Sequence, residues 1–179
     1  IKFSNLIWGD VDCEEDFSKL CNYIYPRLRR KENPFDYENL VSYLKVIFPN
    51  EQIENEVSIT QIGGMSNKNF KVVKGASEYV LRVPGNGSEG MVVRSNEEQN
   101  SMQACKMGIN PPVRYFNAKN GIKLADYVRN AETLNGATIQ RTSNMDKIVK
   151  IFQTLHHSHV RFGNEFNVFN EILNYEHLL

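Results

Sequence analysis

Three β-type segments follow one another between residues 57 and 83, and the connections between them are too short to hold a crossover helix. Val57, Ile59 and Ile62 mark the first segment, Phe70, Val72 and Val73 the second, and Tyr79-Val80-Leu81-Arg82-Val83 the third. Parallel neighbours need a dozen or more intervening residues, so this spacing predicts an antiparallel meander. Lys74-Gly75-Ala76-Ser77 is a tight turn, and Pro84 to Gly90 is a glycine-rich loop. Residues 94 to 107 read as a helix closed by Gly108. Pro111-Pro112 then opens an extended stretch, Val113 to Asn117, and an Asn120-Gly121 turn leads to a fifth strand, Ile122 to Val128. The order strand, strand, strand, helix, strand, strand predicts an α+β fold: a five-stranded antiparallel sheet over residues 56 to 129, with one helix packed on it.

The flanks read as helical. Leu20, Ile24 and Leu28 recur at spacing four with Phe17 and Cys21 beside them, Pro26 is expected to end or bend that helix, Asn33-Pro34 is a turn, and residues 30 to 35 form the candidate linker. Tyr37, Leu40, Val41, Leu44 and Phe48 make the apolar face of a second helix stopped at Pro49-Asn50. Near the other end, Met145, Ile148, Val149, Phe152 and Leu155 form a stripe. Residues 158 to 170 read as irregular, and a further helix begins at Glu171. With Phe162, Phe166, Phe169, Ile172 and Leu173 nearby and little chain left to cover them, residues 145 to 179 are expected to expose apolar surface and either to self-associate or to belong to a longer chain.

Composition closes off several functions. Twenty-one basic and 21 acidic side chains balance in 179 residues, which argues against nucleic-acid binding through a basic surface and against a polybasic membrane anchor. No apolar run reaches the roughly 18 to 20 residues of a membrane span, and no secretory leader is read at Ile1-Lys2-Phe3. Without an initiator Met, the chain is expected to begin inside something longer or to have been processed. Cys13, Cys21 and Cys105 lack the even number and spacing of a disulfide framework or a zinc site, so reduced thiols and a cytoplasmic location are expected. His156, His157 and His159 fall on different faces of a helix end and read as packing and surface residues rather than metal ligands.

Two features carry chemistry. Gly63-Gly64-Met65-Ser66-Asn67 lies between two antiparallel strands, where glycines let backbone N–H groups approach an anion and Ser66, Asn67 and Asn69 add donors. It is no Walker loop, since neither the Gly-Lys-Ser/Thr nor the following helix is there, and an ordinary hairpin remains the alternative. Arg82 sits inside an apolar strand. A half-buried cation needs a partner, and the next helix offers Glu97 and Glu98. A loop over phosphates, a cation on the third strand and a glutamate on the following helix together form the nucleotide half of a kinase-like fold.

On these residues, 56 to 179 resemble the choline/ethanolamine kinases, within the wider aminoglycoside-phosphotransferase-like group. Gly63 to Asn67 is similar to that family's ATP loop. Tyr79 to Gly85 is similar to its third strand, which carries arginine where protein kinases carry lysine, and Arg94-Ser95-Asn96-Glu97 to its Arg-x-x-Glu. Gly121 to Val128 resembles the fifth strand and hinge, and Leu155-His156 the end of the first large-lobe helix. The resemblance implies a protein-kinase-like small lobe at residues 33 to 130 and the first helices of a truncated large lobe at 131 to 179. It implies ATP held by Gly63, Gly64, Met65, Ser66, Asn67 and Arg82, with Glu97 orienting Arg82 and the hinge residues Asp126, Tyr127 and Val128 facing adenine. Mg2+ and a small amino-alcohol substrate would complete the enzyme.

Residues 1 to 32 resemble the tail of a nucleotidyltransferase domain, as in bacterial cytidylyltransferase–choline kinase fusions, with Asp12 matching a magnesium-holding aspartate; a helix cap is the other reading of Asp12. No Asp follows Asp146 and there is no His-x-Asp, so the catalytic base and metal aspartates of the family are expected to be absent and the isolated chain to be inactive. Two other functions fit the same residues: another small-molecule kinase, of aminoglycoside or thiamine type, or a non-catalytic nucleotide-binding module.

Overall fold

A computed structural model of the protein describes residues 33–53, 56–64, 67–85, 92–165 and 167–176. The chain divides into two compact units, 1–55 and 56–179.

Within the first unit, α1 (Tyr37–Ile47) buries Leu40, Val41 and Leu44, while Tyr37 at its start is exposed. The buried Asn39 is satisfied, since its amide donates to the Asn33 carbonyl at 2.7 Å. The Phe48 N–H caps the helix by donating to Leu44, ahead of the Pro49 stop.

The second unit is built on β1 (Val57–Gly63), β2 (Asn67–Lys74), β3 (Ser77–Pro84), β4 (Val113–Phe116) and β5 (Lys123–Asp126). The order across the sheet is β1-β2-β3-β5-β4, and every neighbouring pair is antiparallel, as the short connections require. Register and side-chain alternation sort the two faces. Phe70, Leu81 and Leu124 stand in one cross-strand row and, with Val72, Val83 and Ile122, form the buried face. The opposite face carries Asn69, Arg82 and Lys123 in one row and Lys71, Val80 and Ala125 in the next. A one-residue slip would exchange these two sets, so the buried leucines pin the register that presents the polar row.

Two of the strand limits that differ from the sequence reading bear on the site. β2 begins at Asn67 rather than near Phe70, because Asn67, Lys68 and Asn69 pair through their backbones with Pro84, Val83 and Arg82. β5 stops at Asp126, where Tyr127 makes one more bond, its N–H to the Glu78 carbonyl at 3.0 Å, before the chain turns away.

The expected helix is α2 (Arg94–Lys106), which lies against β4. It buries none of its residues fully and is held largely by polar contacts. The Cys105 thiol donates to the Pro111 carbonyl at 3.0 Å, and the Asn100 amide donates to Asn164 at 2.7 Å. Its end is a Schellman closure, with Ile109 N–H on the Ala104 carbonyl and Gly108 N–H on Cys105.

The last two helices are α3 (Thr142–His157) and α4 (Val168–Glu176). The expected irregular stretch is shorter than residues 158 to 170, because Asn167 caps α4 by accepting the N–H groups of Phe169 and Asn170. Val149 and Phe152 on α3 and Phe169, Ile172 and Leu173 on α4 are exposed, as the stripe led one to expect. Phe166 lies outside the described residues. His156 is exposed and near the Phe152 ring, and among the described residues no group of three or more His, Cys, Asp or Glu side chains is placed to hold a metal. No helix among them is long and apolar enough to cross a membrane.

Candidate functional site

The site grows from Arg82. Strand alternation turns it away from the leucine core, toward the start of α2. One terminal nitrogen donates to Glu97, and the other donates to the Gly121 carbonyl at 3.0 Å. The Arg82 guanidinium also lies 5.7 Å from the Phe116 ring centroid. Its Nε is buried and has no partner among the described residues. The side chains of Arg82 and Glu97 are only 13% and 21% exposed, so this is no screened surface pair.

Glu97 serves two cations, because Arg94 donates to its second oxygen at 2.9 Å. Burial pushes the Glu97 carboxyl up, but the hydrogen bonds and charges of Arg82 and Arg94 outweigh burial and hold it below its ordinary value. A carboxyl lowered by folding contributes stability above its unfolded pKa, and that contribution is lost as pH falls through the folded value. Thermal stability is therefore expected to hold from neutral pH to about 5 and to fall below about 4. Glu97→Gln should flatten part of that acid slope in a melting-temperature series. The slope that remains would include Glu78, whose half-buried carboxylate is lowered by bonds to Lys71 and Arg129.

Gly121 is fitted to this arrangement. It adopts φ +70°, and a Cβ there would press on Arg94 Nε at 2.7 Å and Pro84 Cγ at 2.8 Å. A glycine at this position lets its carbonyl reach Arg82 while the two arginines stay over Glu97.

Arg82 opens on a cleft of about 330 Å³. Asp126, Tyr127 and Val128 line one side, Val80 and Ala125 supply apolar wall, and Asn69 and Lys123 flank Arg82. The Asp126 carboxylate is occupied by Arg114, through bonds of 2.7 and 2.6 Å, and the Asp126 N–H is given to Pro112. The Tyr127 N–H is used as well. The Val128 N–H has no intramolecular acceptor among the described residues.

Gly63 and Gly64 end β1 at φ +126° and +119°. A Cβ on Gly64 would overlap the Asn67 carbonyl and would come 3.1 Å from the Asn69 amide, so the turn closes over its own backbone. Among the described residues of the turn, neither Gly63 nor Gly64 lines the cleft; Asn69 joins the two. Met65, Ser66 and Asp12 lie outside the described residues.

Sequence reasoning thus chose Arg82, Glu97 and the hinge, and the structure brings Arg82 and the hinge onto one cleft with Glu97 behind Arg82. It left Lys123, Val80 and Ala125 unassigned. The signal was there: Val80 stands two residues from Arg82 on β3, and Ala125 two from Lys123 on β5.

Five antiparallel strands, a helix lying against them and a strand cation held by a helix carboxylate define a protein-kinase-like small lobe, with the first large-lobe helices after it. Within that class the chain resembles the choline kinases of the LicA type. It is 30% identical over 145 residues to protein LicA of Haemophilus influenzae, an alignment covering 78% of this chain and 43% of the relative. The crystal structure of choline kinase LicA from Streptococcus pneumoniae matches with a TM-score of 0.65 and 30% identity, over 76% of this chain and 47% of that one. LicA in complex with AMP matches with a TM-score of 0.65 and 31% identity, over 80% and 49%. The chain spans less than half the length of each of these proteins. No family model matches it.

Proposed function

We propose that this chain is the nucleotide-holding part of a kinase that transfers the γ-phosphoryl group of ATP to the hydroxyl of choline or a similar amino alcohol. The observation that carries this reading is Arg82, locked by Glu97 and Gly121, with one buried donor unused at the edge of a cleft beside a free hinge N–H. Arg82 would neutralise phosphate oxygens, and Glu97 keeps its rotamer fixed before ligand arrives. Adenine would lie over the face formed by Val80 and Ala125, bonded to the Val128 N–H, with Asp126 and Tyr127 beside it. Gly63 to Asn67 would cover the phosphates. The similarity to LicA, and the AMP bound to one LicA structure, support the nucleotide and the acceptor class.

Mg2+ belongs to the proposed complete reaction, and the described residues offer no group of three or more His, Cys, Asp or Glu side chains to hold it. Residues 33 to 130 would form the small lobe, and 131 to 179 would begin the large one. A nucleotidyltransferase-like tail over residues 1 to 32, with Asp12 near a metal, and a cytoplasmic location, where ATP is supplied, complete the reading.

Titration of the 179-residue chain, followed by the amide resonances of Asp126 to Val128, tests the nucleotide part. Weak ATP binding that perturbs these amides, without choline-dependent ADP release, is the expected result. Millimolar ATP that leaves them unmoved would remove the reading. The acceptor is tested by ADP release from the complete enzyme: choline should stimulate it, and stimulation by an aminoglycoside or thiamine alone would replace choline with that acceptor.

The apolar side chains of α3 and α4 would drive self-association of the isolated chain. Phe169 is 73% exposed and Ile172 57%, and covering each such side chain is worth roughly 1.5–3 kcal/mol. Sedimentation at micromolar concentration should show dimers or larger species; a clean monomer would refute the idea.

A further inference from the structure

Lys123 is placed where a lone cation is costly. It pairs with Arg82 across β3 and β5, so the two side chains leave the sheet on the same face from directly opposed positions. Cβ atoms so placed are about 4.5–5.5 Å apart, and like charges there repel. Lys123 is half-buried, yet no carboxylate lies within salt-bridge distance of it among the described residues. Glu97 is near enough to be felt, but its two oxygens are already taken by Arg82 and Arg94. Burial and then the Arg82 charge push the Lys123 ammonium below its ordinary pKa, which is the response of a cation short of an anion.

The surroundings sharpen this. Asn69, Arg82 and Lys123 form one row across three strands, and all three line the cleft. The next row toward the hinge contributes Val80 and Ala125. Ala125 carries only a methyl group, so little side chain stands between the hinge and Lys123. The cleft therefore runs from an apolar, hinge-lined end to an end with two cations, one of which has a spare buried donor.

We propose that Lys123 is a second phosphate-directed cation of this cleft, its ammonium meeting with Arg82 on the polyphosphate of a bound nucleoside triphosphate. The assignment rests on the nucleotide reading above and adds a specificity residue to it. A polyphosphate removes the repulsion between the two cations, and the apolar end takes the base. Lys123 thus favours ATP over adenosine, whereas a lysine acting only in packing would not separate the two.

The test uses the 179-residue chain with ATP, adenosine and inorganic tripolyphosphate, read by calorimetry or thermal shift. Lys123→Met should lower ATP and tripolyphosphate affinity about tenfold or more, the weight of one charge-assisted hydrogen bond, and leave adenosine affinity unchanged. Lys123→Arg should restore the preference for ATP. Without ligand, Lys123→Met should melt no lower than the parent, since the clash with Arg82 is gone. As an independent readout on the unmodified chain, ATP but not adenosine should slow acylation of Lys123 by an amine-directed reagent. An unchanged ratio of ATP to adenosine affinity in Lys123→Met, or equal protection by both ligands, would overturn the assignment and leave the nucleotide cleft standing. A parent chain that binds neither ATP nor tripolyphosphate would overturn the cleft reading, and the role of Lys123 with it.

Discussion

Replacing Glu97 by alanine should destabilise the second unit by about 3–5 kcal/mol, because it strands a half-buried guanidinium without its counter-charge. Arg82 would keep only the Gly121 carbonyl while facing Lys123 across the strands and Arg94 on the helix. The loss is comparable to the whole margin of many domains, so the variant is expected to melt far below the parent or to be partly unfolded at room temperature. Chemical denaturation followed by far-UV circular dichroism measures it. A double-mutant cycle supplies the control: in an Arg82→Met background, Glu97→Ala should cost clearly less, since the charge it strands is gone. Equal costs in both backgrounds would mean that the pair is not coupled.

Arg82→Met itself should reduce ATP affinity by roughly 30- to 100-fold, the range expected when a pre-oriented, charge-assisted contact to phosphate is removed. The aliphatic stem that packs along the strand is retained, so the loss falls on the charged group. Adenosine, which has no phosphate, should bind the variant as it binds the parent. Arg82→Lys should recover part of the ATP affinity but not all: a point charge can meet phosphate, yet it cannot also make the forked contacts to Glu97 and Gly121. Competition between ATP and adenosine for the cleft gives the numbers. An Arg82→Met variant that binds ATP like the parent would take the phosphate role from this residue.

The hydrogen bonds around α2 show why part of the site was legible in the sequence. A charged residue inside Val80-Leu81-Arg82-Val83 announces a cation that must find a partner, and the first carboxylates downstream are Glu97 and Glu98 on a predicted helix. The choice of Glu97 needed the likeness to Arg94-Ser95-Asn96-Glu97, and Arg94 does bond Glu97 across one helical turn. Lys123 carries no such local sign, although it lies within the fifth-strand stretch Gly121 to Val128. Its meaning depends on the residue opposite it in another strand, 41 positions away by the pairing of Arg82 with Lys123. The same holds for Asp126, which reads as a free carboxylate in the hinge until Arg114 is found on it. The role of Gly121 as a carbonyl acceptor also had no local sign beyond the Asn-Gly turn.

What the sequence determined alone was local: short connections forced an antiparallel sheet, alternation divided core from cleft, and an isolated arginine in an apolar strand demanded a carboxylate. Such demands come from backbone reach and desolvation, which act on every chain with this pattern. What only the tertiary structure decided was the company each charge keeps. Cross-strand register set Arg82 against Lys123, the approach of α2 spent both oxygens of Glu97 on arginines, and β4 brought Arg114 to neutralise Asp126. Electrostatic energies depend on distances between residues far apart in sequence, and those distances exist only once the sheet has closed on its order β1-β2-β3-β5-β4.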